Sequence, residues 1–410
     1  MLVVGDIHIN SKWQKNIINN LDSFLQKFPE EKNIVFVGDY VYHFSYDRNA
    51  LFDLFSLFVK YFKKGKNIYV LAGNHDWISE SFVYQEAKTS FDILNENSNN
   101  KIHFITKPFW ENIEGEDVFF LPYNHNLVNC SEKFSSPQND IESLINQLVD
   151  SEKSNEQFSA GVNKILYDNI KNLTKKAFVI HHYYFSNISF PGQKAKFNFN
   201  NVSISEKFLD MYDDVYFMSG HLHQGFVYKN YFCTGSVRSS SFLEQNQVKY
   251  LYQMNLAEQE IFAYGLNINP FVALYESQNS IDKEFFQKQL DNIQLDNQKN
   301  FDGGSYTISF EDDILEMLYK NINLVLYSDK VDYDTIYDII DKDLLHNLKD
   351  IKIRKKSKAM DDILDMASST QKNLEESFSN WKDILVEFLK NKYNDDYEKY
   401  HNKLKQLKIL

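Results

Sequence analysis

Five short apolar runs in this chain stop in the same way, giving directly onto residues that bind metals or move protons. Leu2-Val3-Val4 leads to Gly5-Asp6-Ile7-His8, and Asn33-Ile34-Val35-Phe36-Val37 to Gly38-Asp39. Ile68-Tyr69-Val70-Leu71-Ala72 leads to Gly73-Asn74-His75-Asp76, Ala177-Phe178-Val179-Ile180 to His181-His182, and Val215-Tyr216-Phe217-Met218-Ser219 to Gly220-His221-Leu222-His223. Runs this short and this rich in β-branched residues read as buried strands. Between the first three lie stretches of helical period, about 13–27 and 49–63, so the pattern is strand, helix, strand. Such units build parallel sheets, with polar residues collected at the carboxyl ends of the strands.

That edge holds chemistry of a definite kind. Asp6 and His8 alternate along an extended backbone and point the same way, as do His221 and His223, with Leu222 turned from them. Asn74, His75 and Asp76 put an amide oxygen, an imidazole and a carboxylate on one turn. These are the parts of a metal-centred hydrolytic site: a ligand, a proton donor or stabiliser, and a group to orient it. Asp6, His8, Asp39, Asn74, His181, His221 and His223 all fall at strand ends of one inferred core. Either member of the His181-His182 pair can complete a site, and His181 is preferred because it directly follows the apolar run. One ion cannot use seven ligands, whereas two can if a carboxylate bridges them. Mixed Asp, His and Asn donors suit manganese, iron or zinc better than calcium or magnesium.

Composition narrows the setting. Apolar residues make up 43% of 410 and aromatics 16%, enough for a sizeable core and two or three domains. The two cysteines, Cys130 and Cys233, lie far apart, which argues against a disulfide framework or thiolate zinc site and for a reducing compartment. No apolar run reaches membrane-spanning length and Met1-Leu2-Val3-Val4 reads directly as a strand, so the expected location is the cytoplasm, without membrane contact. The net charge of −13 excludes a broad basic face for nucleic acid, so any grip on DNA must come from bound cations, local basic patches or a partner.

The ordered set Gly-Asp-x-His, Gly-Asp, Gly-Asn-His-Asp, His and Gly-His-x-His resembles the calcineurin-like metallophosphoesterase superfamily over about residues 1–265. The resemblance implies a four-layer α/β sandwich holding two divalent ions, with manganese the first choice and iron or zinc the others. It places Asp6, His8, Asp39 and His223 on one ion, and Asp39, Asn74, His181 and His221 on the other. It makes His75 the non-ligand histidine that protonates or stabilises the leaving oxygen, with Asp76 orienting it.

Two later stretches narrow the resemblance. Tyr231-Phe232-Cys233-Thr234-Gly235-Ser236-Val237-Arg238-Ser239-Ser240-Ser241-Phe242 is similar to the strand and Gly-Ser loop after Gly-His-x-His in SbcD-type nucleases, and Asn269-Pro270-Phe271-Val272 to their exit into a capping domain. This implies a DNA nuclease subunit of repair or recombination complexes, including the smaller phage recombination endonucleases, which pair with a coiled-coil SMC-like ATPase. The alternative is a stand-alone phosphoesterase acting on a phosphoprotein, nucleotide or small phosphate ester. The chain departs from that pattern at Ile9-Asn10 and at Val41-Tyr42-His43; His43 reads as a surface histidine, His103 as packed or exposed, and His125 as nearer the site.

The expected organisation is a phosphoesterase domain over 1–268, a small α/β capping domain over 269–365 and a helical segment over 366–410. The capping domain is expected to contain a helix over 280–292 and strands over 304–310 and 322–327. Lys352, Arg354, Lys355, Lys356 and Lys358 form a basic run that reads first as a solvated segment and second as a DNA patch. Phe378, Trp381, Ile384, Leu385, Phe388 and Leu389 recur at helical spacing, and the resemblance implies that these C-terminal helices dock on the ATPase coiled coil. Whether two copies pair as a homodimer is left open by the sequence.

Overall fold

The computed structural model describes residues 1–354 apart from 42–43, 79–80, 125–140, 142–144, 146–153, 189–201, 240–243, 267, 269, 276–280, 282, 312–321, 329–339 and 347. His43, His125, the basic run from residue 355 onward and the C-terminal helices lie outside the described residues.

The βαβ pattern read from the sequence forms the centre of a seven-stranded sheet. Leu2–Val4, Asn33–Phe36, Asn67–Leu71 and Ile102–Ile105 run parallel in that order. Lys249–Asn255 then pairs antiparallel with the first strand and Glu260–Leu266 antiparallel with it in turn. A second, six-stranded sheet is centred on Glu116–Leu121, Ala177–His181 and Val215–Ser219, all parallel.

The two sheets pack face to face, and alternation along each strand decides which side chains meet between them. Met1, Val3, Val35, Val37, Tyr69 and Leu71 of the first sheet share one core with Val118, Phe120, Phe178, Ile180, Met218 and Phe232 of the second. The intervening residues Leu2, Val4, Ile34, Phe36, Ile68 and Val70 face outward, onto the helices Gln14–Lys27 and Phe44–Lys63. On the far side, Phe119, Leu121, Val179, Val215, Phe217 and Tyr231 pack under the helices Ser154–Ile170 and Lys207–Met211. The order is helix, sheet, sheet, helix: the four-layer α/β sandwich. A one-residue slip in any central strand would exchange its two apolar sets, so the register is strongly specified.

The later part differs from its expected plan at one strand. Phe271–Tyr275, Ile322–Tyr327 and Leu348–Arg354 form a separate parallel sheet, covered by the helix Lys283–Lys299 through Phe286 and Leu290. Thr307–Phe310, expected with that smaller sheet, instead runs parallel to Glu260–Leu266 as the edge strand of the seven-stranded sheet. Its Ile308 and Phe310 add to the core between the two large sheets. Among the described residues no helix is long and apolar enough to cross a membrane.

Candidate metal centre

The strand ends of both sheets converge on one edge, and the turns there are tight. His8, Asp39 and His221 all adopt positive φ, at 44°, 51° and 74°. For residues with a side chain that conformation costs on the order of 1–3 kcal/mol each and persists only where surroundings over-determine it. Glycines let the loops come this close: a Cβ at Gly73 would collide with Asp39 Oδ1, and one at Gly220 with Asp6 Oδ1.

Two groups of donors result. Asp6, His8 and His223 bring their ligand atoms within 4.8 Å of one another, and so do Asp39, His182 and His221. Asp39 faces both groups, with Oδ2 3.7 Å from His8 Nε2 and Oδ1 3.3 Å from His182 Nε2. Asn74 joins the second group, since its Oδ1 lies 2.8 Å from His221 Nδ1 and 3.1 Å from His182 Nε2. Asp6 also accepts the backbone N–H of His221 at 2.9 Å, tying the two groups together.

The ring orientations are set from behind. A carbonyl only accepts, so His182 Nδ1 donates to Val37 O at 2.7 Å and Nε2 is the nitrogen turned toward Asp39 and Asn74. His223 Nδ1 lies 3.0 Å from Glu244 Oε1, leaving its Nε2 3.0 Å from His8 Nε2. Burial pushes His8 and His221 down to about 3, which keeps their rings neutral with lone pairs available. Burial raises Asp6 to about 7. Burial alone would raise Asp39 too, but the charge of His182 beside it holds it well below the usual carboxylate range. Conversely the Asp39 carboxylate, against the effect of burial, lifts His182 to about 10. An anion that draws a proton so strongly onto its neighbour would draw a cation into the same gap. Two oxygen- and nitrogen-lined groups sharing a carboxylate fit a pair of divalent cations.

One sequence expectation is corrected here. His181, preferred as the ligand, faces away from both donor groups. Its ring stacks on Tyr231 and meets Phe185 edge-on, and its Nε2 is buried without a hydrogen-bond partner among the described residues. The reason is parity: His181 shares its side of the strand with Val179, under the helices, while His182 shares that of Ile180, toward the other sheet. Continuing the alternation from the apolar run would have separated the two.

Asp76 also differs from its expected part. Its carboxylate accepts backbone N–H groups from Gly73, Asp39 and Tyr40 at 2.8, 2.8 and 2.7 Å, clamping the loops that carry Asp39 and Asn74 to each other. His75 stands exposed at the mouth, its ring edge-on to His8 with centroids 5.3 Å apart and its backbone N–H on Asp39 Oδ1 at 2.9 Å. His103, read as a packed or surface residue, stacks on Tyr69 at 4.9 Å. Arg238 and Glu244, which sequence reasoning gave no role, are buried behind the site; Arg238 donates through Nε and Nη2 to His8 O at 2.9 and 2.8 Å.

No curated protein matches the chain. Its first 225 residues, however, match the calcineurin-like phosphoesterase family, a span that covers more than half of the sequence and contains both donor groups. With that match, the four-layer sandwich and the paired donor groups at its edge, the chain belongs to the calcineurin-like phosphoesterases and is a metal-dependent phosphoesterase.

Proposed function

We propose that this phosphoesterase cleaves the phosphodiester backbone of DNA with two divalent cations, Mn2+ foremost, as the nuclease subunit of a complex with a coiled-coil SMC-like ATPase. The observation that carries the reading is the segment after Gly220-His221-Leu222-His223. Residues 231–242 of that segment resemble the strand and Gly-Ser loop of SbcD-type nucleases, and Arg238 within them and Glu244 just after them reach two of the candidate ligands. When bound, the cations supply an activated water and neutralise charge on the phosphoryl oxygens during in-line displacement. Asp39 would hold both cations, with Asp6, His8 and His223 completing one set and Asn74, His182 and His221 the other. His75, exposed beside His8, would donate a proton to the leaving oxygen, worth about 10² to 10⁴ in rate. The helices expected over 366–410 would dock on the ATPase.

One observation favours a second reading. A net charge of −13 repels a polyanion, and a stand-alone enzyme for small phosphate esters has no such conflict. The purified chain, with Mn2+, is to be assayed on linear DNA and on a small phosphodiester such as bis(p-nitrophenyl) phosphate. DNA degradation that falls steeply in His75→Ala while bound Mn2+ is retained supports the nuclease reading. Hydrolysis of the small ester with DNA left intact, alone or with a coiled-coil ATPase, favours the second. Undiminished DNA cleavage by His75→Ala sinks the role given to that histidine.

A further inference from the structure

Directly behind one candidate ligand lies a buried ion pair. Glu244 and Lys249 are only 6% and 4% exposed, with Oε2 and Nζ 2.7 Å apart. Taking two such charges out of water is costly, and apolar residues of similar volume would often pack as well or better. What the pair touches is therefore informative. Glu244 Oε1 meets His223 Nδ1 at 3.0 Å, while Lys249 Nζ donates to the His223 carbonyl at 2.7 Å. The backbone N–H of Ser236 donates to that same carbonyl at 3.1 Å. His223 is thus held at both ends, by its ring and by its main chain.

A carboxylate on Nδ1 fixes the tautomer that leaves the Nε2 lone pair facing Asp6 and His8, and stops the ring from turning. The other donor group is braced differently: His182 rests on a main-chain carbonyl of the neighbouring sheet. We propose that Glu244 is a positioning residue for the cation held by Asp6, His8 and His223, with Lys249 keeping Glu244 aimed, and that it serves this cation and not the other. The inference rests on the two-cation reading of the centre. It also gives the later part of the chain a part in the site. Asn297, on the helix Lys283–Lys299, donates to Asn246 O at 2.7 Å and accepts from Val248 N–H at 3.0 Å, pinning the loop between Glu244 and Lys249.

The test is calorimetric titration of Mn2+ into the full-length chain after chelator treatment, comparing the unaltered chain, Glu244→Gln, and Glu244→Gln with Lys249→Met. The double variant removes the ammonium that the single one leaves buried without its carboxylate, so that folding survives in at least one of them. The expected result is two binding events in every protein, one weakened about 10- to 100-fold in both variants and the other unchanged. Equal weakening of both events, or no weakening in a folded variant, overturns the positioning role while leaving the two-cation centre intact. An unaltered chain that takes up no Mn2+ overturns the centre itself, and this inference with it.

Discussion

The two donor groups share Asp39 and lie against each other, yet they are held by different means. The group of Asp39, Asn74, His182 and His221 is framed by the ends of the two large sheets. His182 is fixed by the Val37 carbonyl, and the Asp39 and Asn74 loops are stapled by Asp76. The group of Asp6, His8 and His223 depends on a segment that arrives much later in the chain, through Arg238 behind His8 and Glu244 behind His223. One half of the centre thus comes with the sandwich, while the other requires Arg238 and Glu244 to be packed behind it. Perturbing either residue should affect one half first.

The largest effect should come where the distinction vanishes. Asp39→Ala removes the carboxylate that faces both groups, so both Mn2+ binding events should be lost or severely weakened together. Several kcal/mol of transition-state charge stabilisation corresponds to a fall of about three orders of magnitude in phosphodiester hydrolysis. Calorimetry and a steady-state assay on the same preparation check this. Retention of one full-strength Mn2+ event would show that Asp39 is not shared.

Much of this was legible in residues 1–225, because the strands there are apolar runs and the chemistry sits where they stop. The layers follow from alternation, and alternation is also what the choice between His181 and His182 failed to use. Following Val179 and Ile180 by one more pair puts His182, not His181, toward the other sheet. The helix Ser154–Ile170 is hidden in the sequence by its many polar residues, although Phe158, Val162, Leu166 and Ile170 recur there every fourth residue. Other features had no local signal. Positive φ at His8, Asp39 and His221 is imposed by close approach of loops; Asp and His tolerate that conformation better than most residues, but the preference is too weak to announce it from sequence. Nor could a sequence reading place Glu244 behind His223, 21 positions away, or Arg238 behind His8, 230 away, since those contacts exist only after the sheets have paired.

A smaller effect separates the adjacent histidines and so tests the strand-framed half alone. His182→Ala should abolish or weaken one of the two Mn2+ events while the other persists, because Asp6, His8 and His223 are untouched. His181→Leu should leave both events at full strength. It removes a buried ring nitrogen that has no hydrogen-bond partner among the described residues, but it also takes the acceptor from the Tyr183 N–H, which bonds His181 Nδ1 at 3.3 Å. The two desolvation costs, about 1–3 kcal/mol each, offset, so the melting temperature should change little. Loss of Mn2+ in His181→Leu with normal binding in His182→Ala would reverse the assignment.

The smallest and most discriminating change is Arg238→Lys in the loop-held half. Arg238 is 3% exposed and places two donors on the carbonyl of His8, whose backbone sits at φ 44°. Lysine keeps the charge but not the planar fork, so one of the two hydrogen bonds is lost while no buried charge is created or removed. A charge-assisted hydrogen bond is worth about 1.5–3 kcal/mol, part of which the ammonium recovers by bonding to the same carbonyl. The Mn2+ event assigned to Asp6, His8 and His223 should therefore weaken by about tenfold, and the event at Asp39, His182 and His221 should not move. If both weaken alike, His8 transmits its displacement across Asp39 and the two halves are one mechanical unit. If neither moves, the left-handed turn at His8 is held by the strand ends themselves, and the late loop braces the centre through Glu244 instead.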